Sequence, residues 1–364
     1  MQETNTQIES REEASPDEVF AKEASPEESS AKEASPKAAS PEVTSPEVTS
    51  PEGTSPEGTS PNQTALKKTY QYQTPEWIGA TISPCNAVFE GGAMRCQFTA
   101  GVTDFWMEKK FFPQLIVGTS AGALVGACYA AGLLGRSCFL NMKYCNDPRY
   151  LSFRSYALTG NAYGREFAFD KVVHELDPID PNTFNDSPVR LVAVSSNLET
   201  GEADYHLIKD YEADMPYLIS TSSMPLVSQI VEVDGKKLLD GGPCDSVALG
   251  YSRATGAKKH VVVLTQAADY QKQPNKLMAL MRARYGNYPY FCDRVEHRHY
   301  EYNRLYRQLQ RLADEGEIFL IRPQKPIEIG HMEKDADKLL DLYEQGYEQA
   351  MKTWDNLQEY LARP

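Results

Sequence analysis

Short apolar runs alternate with stretches of helical spacing over residues 86–321. Short apolar runs are typical of buried strands, and apolar positions three or four apart are typical of helices. This order predicts an α/β fold of three layers, in which helices cover both faces of a mainly parallel sheet. Helices are predicted at 96–109 and from Ala121 onward, and strands at 86–90, 114–118, 190–195, 203–207, 229–239, 260–265 and 317–321.

Two local signals refine this pattern. Asp234-Gly235, inside the run 229–239, is typical of a hairpin turn. From Lys334 onward, large side chains recur every three or four residues, which predicts one or two amphipathic helices at the C-terminal end. These side chains are Leu339, Tyr343, Tyr347, Ala350, Trp354, Leu357 and Leu361.

Residues 1–64 show no such pattern. Ser-Pro recurs with its serine at positions 15, 25, 35, 40, 45, 50, 55 and 60. Proline removes backbone donors and biases the residue before it toward extended geometry, so neither a helix nor a sheet can propagate. We therefore expect a disordered Ser/Pro/Glu repeat tail at 1–64, a junction at 65–84 and one domain at 85–364.

The charge of the chain is concentrated in that tail. The whole sequence has 51 acidic and 37 basic residues, of which residues 1–64 hold 14 and 4. The remaining 300 residues carry 37 acidic and 33 basic groups, so the domain is nearly neutral. A nearly neutral domain argues against general binding to nucleic acid, and its length suffices for one large α/β core.

The seven cysteines form no C-x-x-C pair, and no Cys/His spacing fits a zinc site. We interpret them as reduced thiols and expect no metal. The N-terminal segment is acidic and lacks the apolar stretch of a signal peptide. The sequence thus favours a cytoplasmic protein, with export by another route left open.

One uncharged stretch is long enough to cross a bilayer. The 25 residues at 111–135 contain no charged side chain, and a membrane-spanning helix needs about 20. Pro113 and several glycines interrupt the stretch. We therefore predict a buried strand, a turn and a helix in place of a transmembrane helix.

Within this stretch, Gly118-Thr119-Ser120-Ala121-Gly122 matches the pattern G-x-S-x-G between a strand and a helix. A sharp turn of this kind needs small neighbours, so Gly118 and Gly122 are expected at the elbow. Ser120 would then protrude at a helix N-terminus, where backbone N–H groups favour developing negative charge. The pattern predicts that Ser120 is a nucleophile.

Two glycine-rich segments could complete a site. Phe89–Cys96 reads FEGGAMRC, and its small residues would let backbone N–H groups approach a phosphate or an oxyanion. Asp240-Gly241-Gly242 ends a strand, where a carboxylate can approach another loop. Either segment alone is equally compatible with a structural turn.

Together and in this order, the three motifs resemble the patatin-like phospholipase family, in particular its bacterial branch. The resemblance implies a patatin-like fold and a serine lipid acyl hydrolase without a cofactor. Its substrates would be phospholipids or other acyl lipids, with possible peripheral contact to a membrane. It implies a dyad of Ser120 and Asp240, with Ser222–Pro225 as the serine-rich approach. Backbone N–H groups at Gly91, Gly92 and Ala93 would form the oxyanion hole, with Arg95 as the basic residue of the loop and Gly241 and Gly242 after the aspartate.

The sequence departs from the family at two positions. Ala93 stands at the usual third glycine and Cys96 at the closing glycine. An alanine would be strained there if the position needs a positive φ. These departures leave a lipid-binding protein with little or no turnover as one alternative. A Ser-His-Asp esterase is another, because His260, His297 and His299 follow Asp240 in the sequence, and His260 would be its base.

Residues 282–311 contain seven arginines interleaved with tyrosines. This composition is typical of the exposed side of an amphipathic helix, of a surface that contacts lipid headgroups, or of one that stacks on single-stranded nucleic acid. Val295, Tyr302, Leu305, Leu309 and Leu312 lie on one predicted helical face, which favours the first interpretation. The sequence does not predict an oligomeric state.

Overall fold

The structure is a computed structural model that describes residues 74–364. The predicted repeat tail at 1–64 and most of the predicted junction at 65–84 lie outside the described residues.

The described residues form one mixed sheet whose strands lie in the order β5-β6-β3-β2-β1-β7-β8, with β4 also paired to β3. Strands β3, β2, β1, β7 and β8 are parallel neighbours, whereas β4 and β6 pair with β3 in antiparallel fashion. The strands are β1 Thr81–Phe89, β2 Phe111–Thr119, β3 Arg190–Asn197, β4 Ala203–Ile208, β5 Val231–Val233, β6 Lys236–Asp240, β7 His260–Val263 and β8 Phe319–Ile321.

Helices connect most of these strands. They are α1 Gln97–Glu108, α2 Ala121–Ala130, α3 Arg136–Tyr144, α4 Phe153–Thr159, α5 Pro181–Asn185, α6 Met215–Thr221, α7 Leu249–Ala254, α8 Met278–Tyr285, α9 Pro289–Asp314, α10 Ala336–Lys352 and α11 Trp354–Ala362. A 3₁₀ turn at Ala93–Cys96 precedes α1, and a π-helical segment occupies Phe167–Leu176.

Alternate side chains of β1 enter two different cores. Phe89 packs with Phe98 of α1 and Tyr129 of α2 in the largest apolar cluster. Val88, one residue earlier, packs with Leu309 of α9 on the opposite face of the sheet. This period of two confirms the predicted α/β fold with a mainly parallel central sheet.

The uncharged stretch at 111–135 forms strand β2, a turn at Ser120 and helix α2, as predicted. No helix in the part of the chain that the structure describes has the length and apolar character needed to cross a membrane.

Several predicted boundaries differ from the structure. Strand β1 begins at Thr81, inside the predicted junction. The run 229–239 is two short strands joined at Asp234-Gly235, which confirms the predicted turn. The C-terminal pattern forms two helices, α10 and α11, which begin at Ala336 and Trp354.

Helix α10 crosses α1 at a close backbone contact, with one glycine on each helix. A Cβ atom at Gly346 would lie 1.9 Å from the Phe98 carbonyl oxygen, and one at Gly101 would lie 2.0 Å from the Tyr343 carbonyl oxygen. Beside this contact, the Tyr343 hydroxyl donates a 2.9 Å hydrogen bond to the buried Asp104 carboxyl group. Glycine at both positions thus permits the packing that attaches the C-terminal helices to the domain.

We expect Gly346→Ala to lower the free energy of unfolding by about 1–3 kcal/mol, because the added methyl group must push α10 away from α1. Gly250→Ala in α7 is the matched control, since a Cβ atom there meets nothing within 4 Å. Alanine favours a helix more than glycine, so the control should be neutral or stabilising by about 1 kcal/mol. Urea unfolding of both variants measures the difference. Equal effects would contradict the close contact.

Candidate active site

Ser120 occupies a sharp turn between β2 and α2. Its backbone has φ 55° and ψ −133°, a conformation that side chains rarely adopt. A Cβ atom at Gly118 would lie 2.5 Å from the Ala123 Cα atom, and one at Gly122 would lie 2.7 Å from the Glu90 carbonyl oxygen. Both elbow positions therefore require glycine, as the motif predicts.

A residue outside every predicted motif supports this turn. The Ser120 N–H group donates a 2.8 Å hydrogen bond to the Thr221 hydroxyl, which itself donates to the Val194 carbonyl oxygen. Thr221 ends α6 and is buried. No sequence pattern marks this threonine as a partner of Ser120, because the two residues are 101 positions apart.

The Ser120 hydroxyl donates a 2.5 Å hydrogen bond to Oδ2 of Asp240, the last residue of β6. The Gly242 N–H group donates a 2.8 Å hydrogen bond to the other carboxylate oxygen. A Cβ atom at Gly241 would lie 2.2 Å from the Val194 carbonyl oxygen, so glycine permits this chain segment to pass close to β3. The structure thus brings together the two residues that the resemblance pairs.

The predicted serine-rich approach, Ser222–Pro225, lies beside the aspartate. The Asp240 N–H group donates a 2.8 Å hydrogen bond to the Ser223 carbonyl oxygen. The Asp240 carbonyl oxygen accepts a 2.7 Å hydrogen bond from the Ser196 hydroxyl. The backbone of Asp240 is therefore fixed on both sides.

Asp240 is only 6% exposed to solvent. Desolvation raises the pKa of its carboxyl group above the ordinary value of 3.8. The hydrogen bonds from Ser120 and Gly242 and the charges of Arg298 and Lys272 oppose this rise. A raised pKa makes the carboxylate a stronger proton acceptor for the Ser120 hydroxyl.

The loop Gly91–Ala93 follows β1 and passes directly over Ser120. A Cβ atom at Gly91 would lie 2.8 Å from the Ser120 Cβ atom, and one at Gly92 would lie 2.8 Å from the Thr265 hydroxyl oxygen. Within residues 74–364, no acceptor takes the N–H groups of Gly91 and Gly92. Both N–H groups therefore retain their capacity to donate a hydrogen bond.

A buried carboxylate anchors this loop to the rest of the domain. Glu90 accepts a 2.6 Å hydrogen bond from the Thr265 N–H group and hydrogen bonds from the hydroxyl groups of Tyr302 and Tyr306. Both tyrosines lie on α9, in the segment with many arginines. Sequence reasoning placed Tyr302 on the apolar face of this helix but did not find its bond to Glu90.

The two departures from the family motif have different consequences. Ala93 has φ 48°, in the region that favours glycine. Cys96 is buried near Ala100 and Val125, and its thiol donates to the Glu90 carbonyl oxygen at 3.4 Å. The alanine is therefore strained, whereas the cysteine fills apolar space.

Two cavities of different character flank Ser120. The apolar cavity, of about 140 Å³, is lined mainly by apolar side chains, among them Leu124, Leu140 and Phe169. The basic cavity, of about 260 Å³, contains Asp240, Arg95, Lys272 and Arg298 in its lining. Ser120 and Ala93 line both cavities, so the serine lies where they meet.

His260 lies away from this site. It opens β7, where it is the register partner of Asn86 near the middle of β1, whereas Ser120 follows the carboxyl end of β2. It is buried and forms a 2.9 Å hydrogen bond with Ser252. Among residues 74–364, no histidine forms a hydrogen bond with Ser120 or Asp240.

Two family models match parts of the chain. Residues 87–251 match the model of the patatin-like phospholipase family. Residues 288–362 match a model described as a domain of unknown function, DUF6363. The similarity to the patatin-like phospholipase family thus covers 87–251, the segment that contains Ser120 and Asp240.

Individual relatives are distant. The chain is 25% identical over 256 residues to the uncharacterized protein YjjU of Escherichia coli strain K12, a match that covers 66% of this chain and 68% of YjjU. It is similar in structure to VipD of Legionella pneumophila, with a TM-score of 0.38 and 10% identity over 75% of this chain and 67% of VipD.

If Ala93 is strained, alanine-to-glycine substitution should stabilise the protein at this position and destabilise it at an ordinary helical position. We expect Ala93→Gly to raise the free energy of unfolding by about 0.5–1 kcal/mol, because glycine adopts a positive φ without steric cost. Ala157→Gly, at an exposed position inside α4, should instead lower it by about 1 kcal/mol. Thermal unfolding of both variants gives the comparison. Destabilisation at both positions would contradict the strained backbone.

Proposed function

We propose that this chain is a serine lipid acyl hydrolase that cleaves carboxylic esters of phospholipids or other acyl lipids through Ser120 and Asp240. The observation that carries the proposal is the 2.5 Å hydrogen bond between the Ser120 hydroxyl and the desolvated Asp240 carboxylate. The match of residues 87–251 to the patatin-like family supports the same conclusion.

The proposed reaction has two steps. In the first, Asp240 accepts the Ser120 hydroxyl proton while the serine oxygen attacks the ester carbonyl carbon. The N–H groups of Gly91, Gly92 and Ala93 stabilise the oxyanion, and the alcohol leaves with the proton. In the second step, Asp240 activates a water molecule that cleaves the acyl-enzyme and releases the fatty acid and Ser120.

The apolar cavity is the proposed site for the acyl chain. Its lining includes Ser120, Leu124 and Val125 of α2, and Phe169. Burial of acyl methylene groups against such side chains contributes about 0.8 kcal/mol each. An acyl chain in this cavity would place its ester carbonyl group at Ser120, next to the loop Gly91–Ala93.

We place this activity in the cytoplasm, with access to lipid at a membrane surface. Tyr290 and Tyr300 on α9 are 66% and 67% exposed, and aromatic side chains of this kind favour the headgroup layer. Their exposure supports peripheral contact.

Ser120→Ala and Asp240→Asn are each expected to lower kcat/KM for ester hydrolysis roughly 10³-fold or more, because each removes one half of the proton transfer. Asp186→Asn, at an exposed position after α5, is the matched control and should retain full activity. Hydrolysis of p-nitrophenyl butyrate measures the loss, with circular dichroism to verify folding. Folded variants that retain activity would contradict the dyad. A folded protein inactive on every ester tested would favour lipid binding without turnover, which the strain at Ala93 also suggests.

The raised pKa of Asp240 predicts the acid side of the pH profile. Asp240 must be ionised to accept a proton, so activity should rise with pH through its pKa, with a midpoint above the ordinary 3.8. The Arg298 charge lowers this pKa, so Arg298→Gln should move the midpoint to higher pH. The measurement is kcat/KM for a neutral ester from pH 3.5 to 9, limited to the range where the protein stays folded. An unshifted midpoint would contradict the assignment of Asp240 as the base.

A further inference from the structure

The basic cavity beside Ser120 holds more positive charge than the proposed reaction uses. Arg95, Lys272 and Arg298 contribute to its lining, together with Ser120. His331 also lines it, but desolvation lowers the pKa of its ring to about 4, so it adds no positive charge at neutral pH. Arg95 belongs to the glycine-rich motif 89–96 and Arg298 to the arginine-rich segment 282–311, whereas no sequence motif includes Lys272 or His331. Lys272 lies in the loop after β7, and Arg298 and His331 belong to the C-terminal segment beyond residue 288.

Two carboxylates share the cavity, and both are already engaged. Glu90 accepts hydrogen bonds from Tyr302, Tyr306 and the Thr265 N–H group. Asp240 accepts from Ser120 and Gly242. Among the carboxylates of residues 74–364, none lies within 4.0 Å of a side-chain nitrogen of Arg95, Lys272 or Arg298.

The two arginines also retain donors without an acceptor. The Nε atoms of Arg95 and Arg298 are buried and have no hydrogen-bond partner within the described residues. Arg298 donates from Nη2 to the neutral Ser246 hydroxyl at 3.1 Å, and Arg95 Nη2 lies 3.3 Å from His331 Nε2. Buried donors and charges without partners are costly, so the lining is better suited to an anion than to water alone.

Lys272 is held in place by its backbone. Its N–H group donates to the Asn303 side chain at 2.8 Å, and the Asn303 amide donates back to its carbonyl oxygen at 3.0 Å. The ammonium group lies 4.7 Å from the centre of the Tyr302 ring. Desolvation is the main cause that lowers the pKa of Lys272 to about 7, and the charge of Arg298 adds to it. An anion in the cavity would favour its protonated form.

From this arrangement we infer that the basic cavity is a subsite for a phosphate group that the substrate carries close to the ester under attack. Arginine forks and a lysine ammonium group bind phosphate oxygens through short, charge-assisted hydrogen bonds. The inference rests on the proposed function and specifies it: the preferred substrates are acyl lipids with an anionic phosphate headgroup, and neutral acylglycerols are poor ones. Lys272 and Arg298, which lie outside the family-matched segment 87–251, would thus act with Arg95 in headgroup selectivity.

The test compares two short substrates that share their acyl chains and remain monomeric in solution: dihexanoyl phosphatidic acid and dihexanoylglycerol. We expect the full chain to prefer the anionic substrate at least tenfold in kcat/KM. Lys272→Gln should reduce that preference about tenfold, since it removes a charge-assisted contact, and Lys272→Arg should restore part of it. Lys276→Gln, an exposed lysine in the same loop that does not line the cavity, should leave the preference unchanged.

Equal hydrolysis of the two substrates, with no effect of Lys272→Gln on their ratio, would overturn the subsite while leaving the hydrolase intact. If neither substrate is cleaved, the proposed function fails on these esters, and calorimetric binding to Ser120→Ala still decides the subsite. Binding of the phosphatidic acid but not of the acylglycerol would then support it. Equal binding would refute it.

Competition by inorganic phosphate distinguishes a site for a lipid headgroup from a site for the free ion. We expect millimolar phosphate to compete weakly with the anionic lipid, and less so in Lys272→Gln. Inhibition by phosphate without any preference for the anionic lipid would show a site for the free ion and contradict headgroup recognition. Equal inhibition of the wild type and Lys272→Gln would contradict phosphate binding in this cavity.

Discussion

The register of strand β3 controls the distance between Ser120 and Asp240. Thr119, just before the serine, pairs with Val194, and Asp240 pairs with the next residue of β3, Ser195. Strand β4 pairs with Val194 and Ser195 on the opposite edge, so β2 and β6 follow one another along the same edge of β3. Two residues separated by 120 positions thus meet where the ends of these two strands meet. A shift of β2 or β6 by one residue against β3 would exchange the faces of the shifted side chains and separate the pair. The site therefore depends on how firmly β3 fixes both strands.

Several contacts fix β3 at that point. The Val194 carbonyl oxygen accepts a hydrogen bond from the Thr221 hydroxyl, which itself accepts a hydrogen bond from the Ser120 N–H group. Gly241 passes so close to the same oxygen that any side chain would collide with it. The backbone of Ser120 keeps its strained conformation only because these neighbouring contacts hold it in place on several sides.

A second constraint links the loop Gly91–Ala93 to the C-terminal part of the chain. A carboxylate as buried as that of Glu90 needs several donors, and α9 supplies two of them through Tyr302 and Tyr306. The same helix contributes Arg298 to the basic cavity. The segment that matches a domain of unknown function is therefore part of the site and not a separate appendage.

The sequence predicted the structure best at turns whose backbone conformation only a few residue types can adopt. The elbow at Ser120 and the hairpin at Asp234-Gly235 each require glycine, so a short motif sufficed to predict them. The start of β1 was missed because Pro84 interrupts its apolar pattern. The pairing of Glu90 with Tyr302 was not predictable, because it joins residues 212 positions apart without a shared motif. The pairing of Ser120 with Asp240 came from the family resemblance alone.

Labelling with a fluorophosphonate tests the central claim most directly, since this probe reacts with activated serines whatever the natural substrate is. Intact mass and peptide mapping should show one adduct per chain, on Ser120, and Asp240→Asn should slow its formation by roughly 10²-fold or more. A folded protein that takes up no probe, or that carries it on another residue, would contradict the account. Equal labelling rates in the wild type and Asp240→Asn would show that Asp240 does not activate the serine.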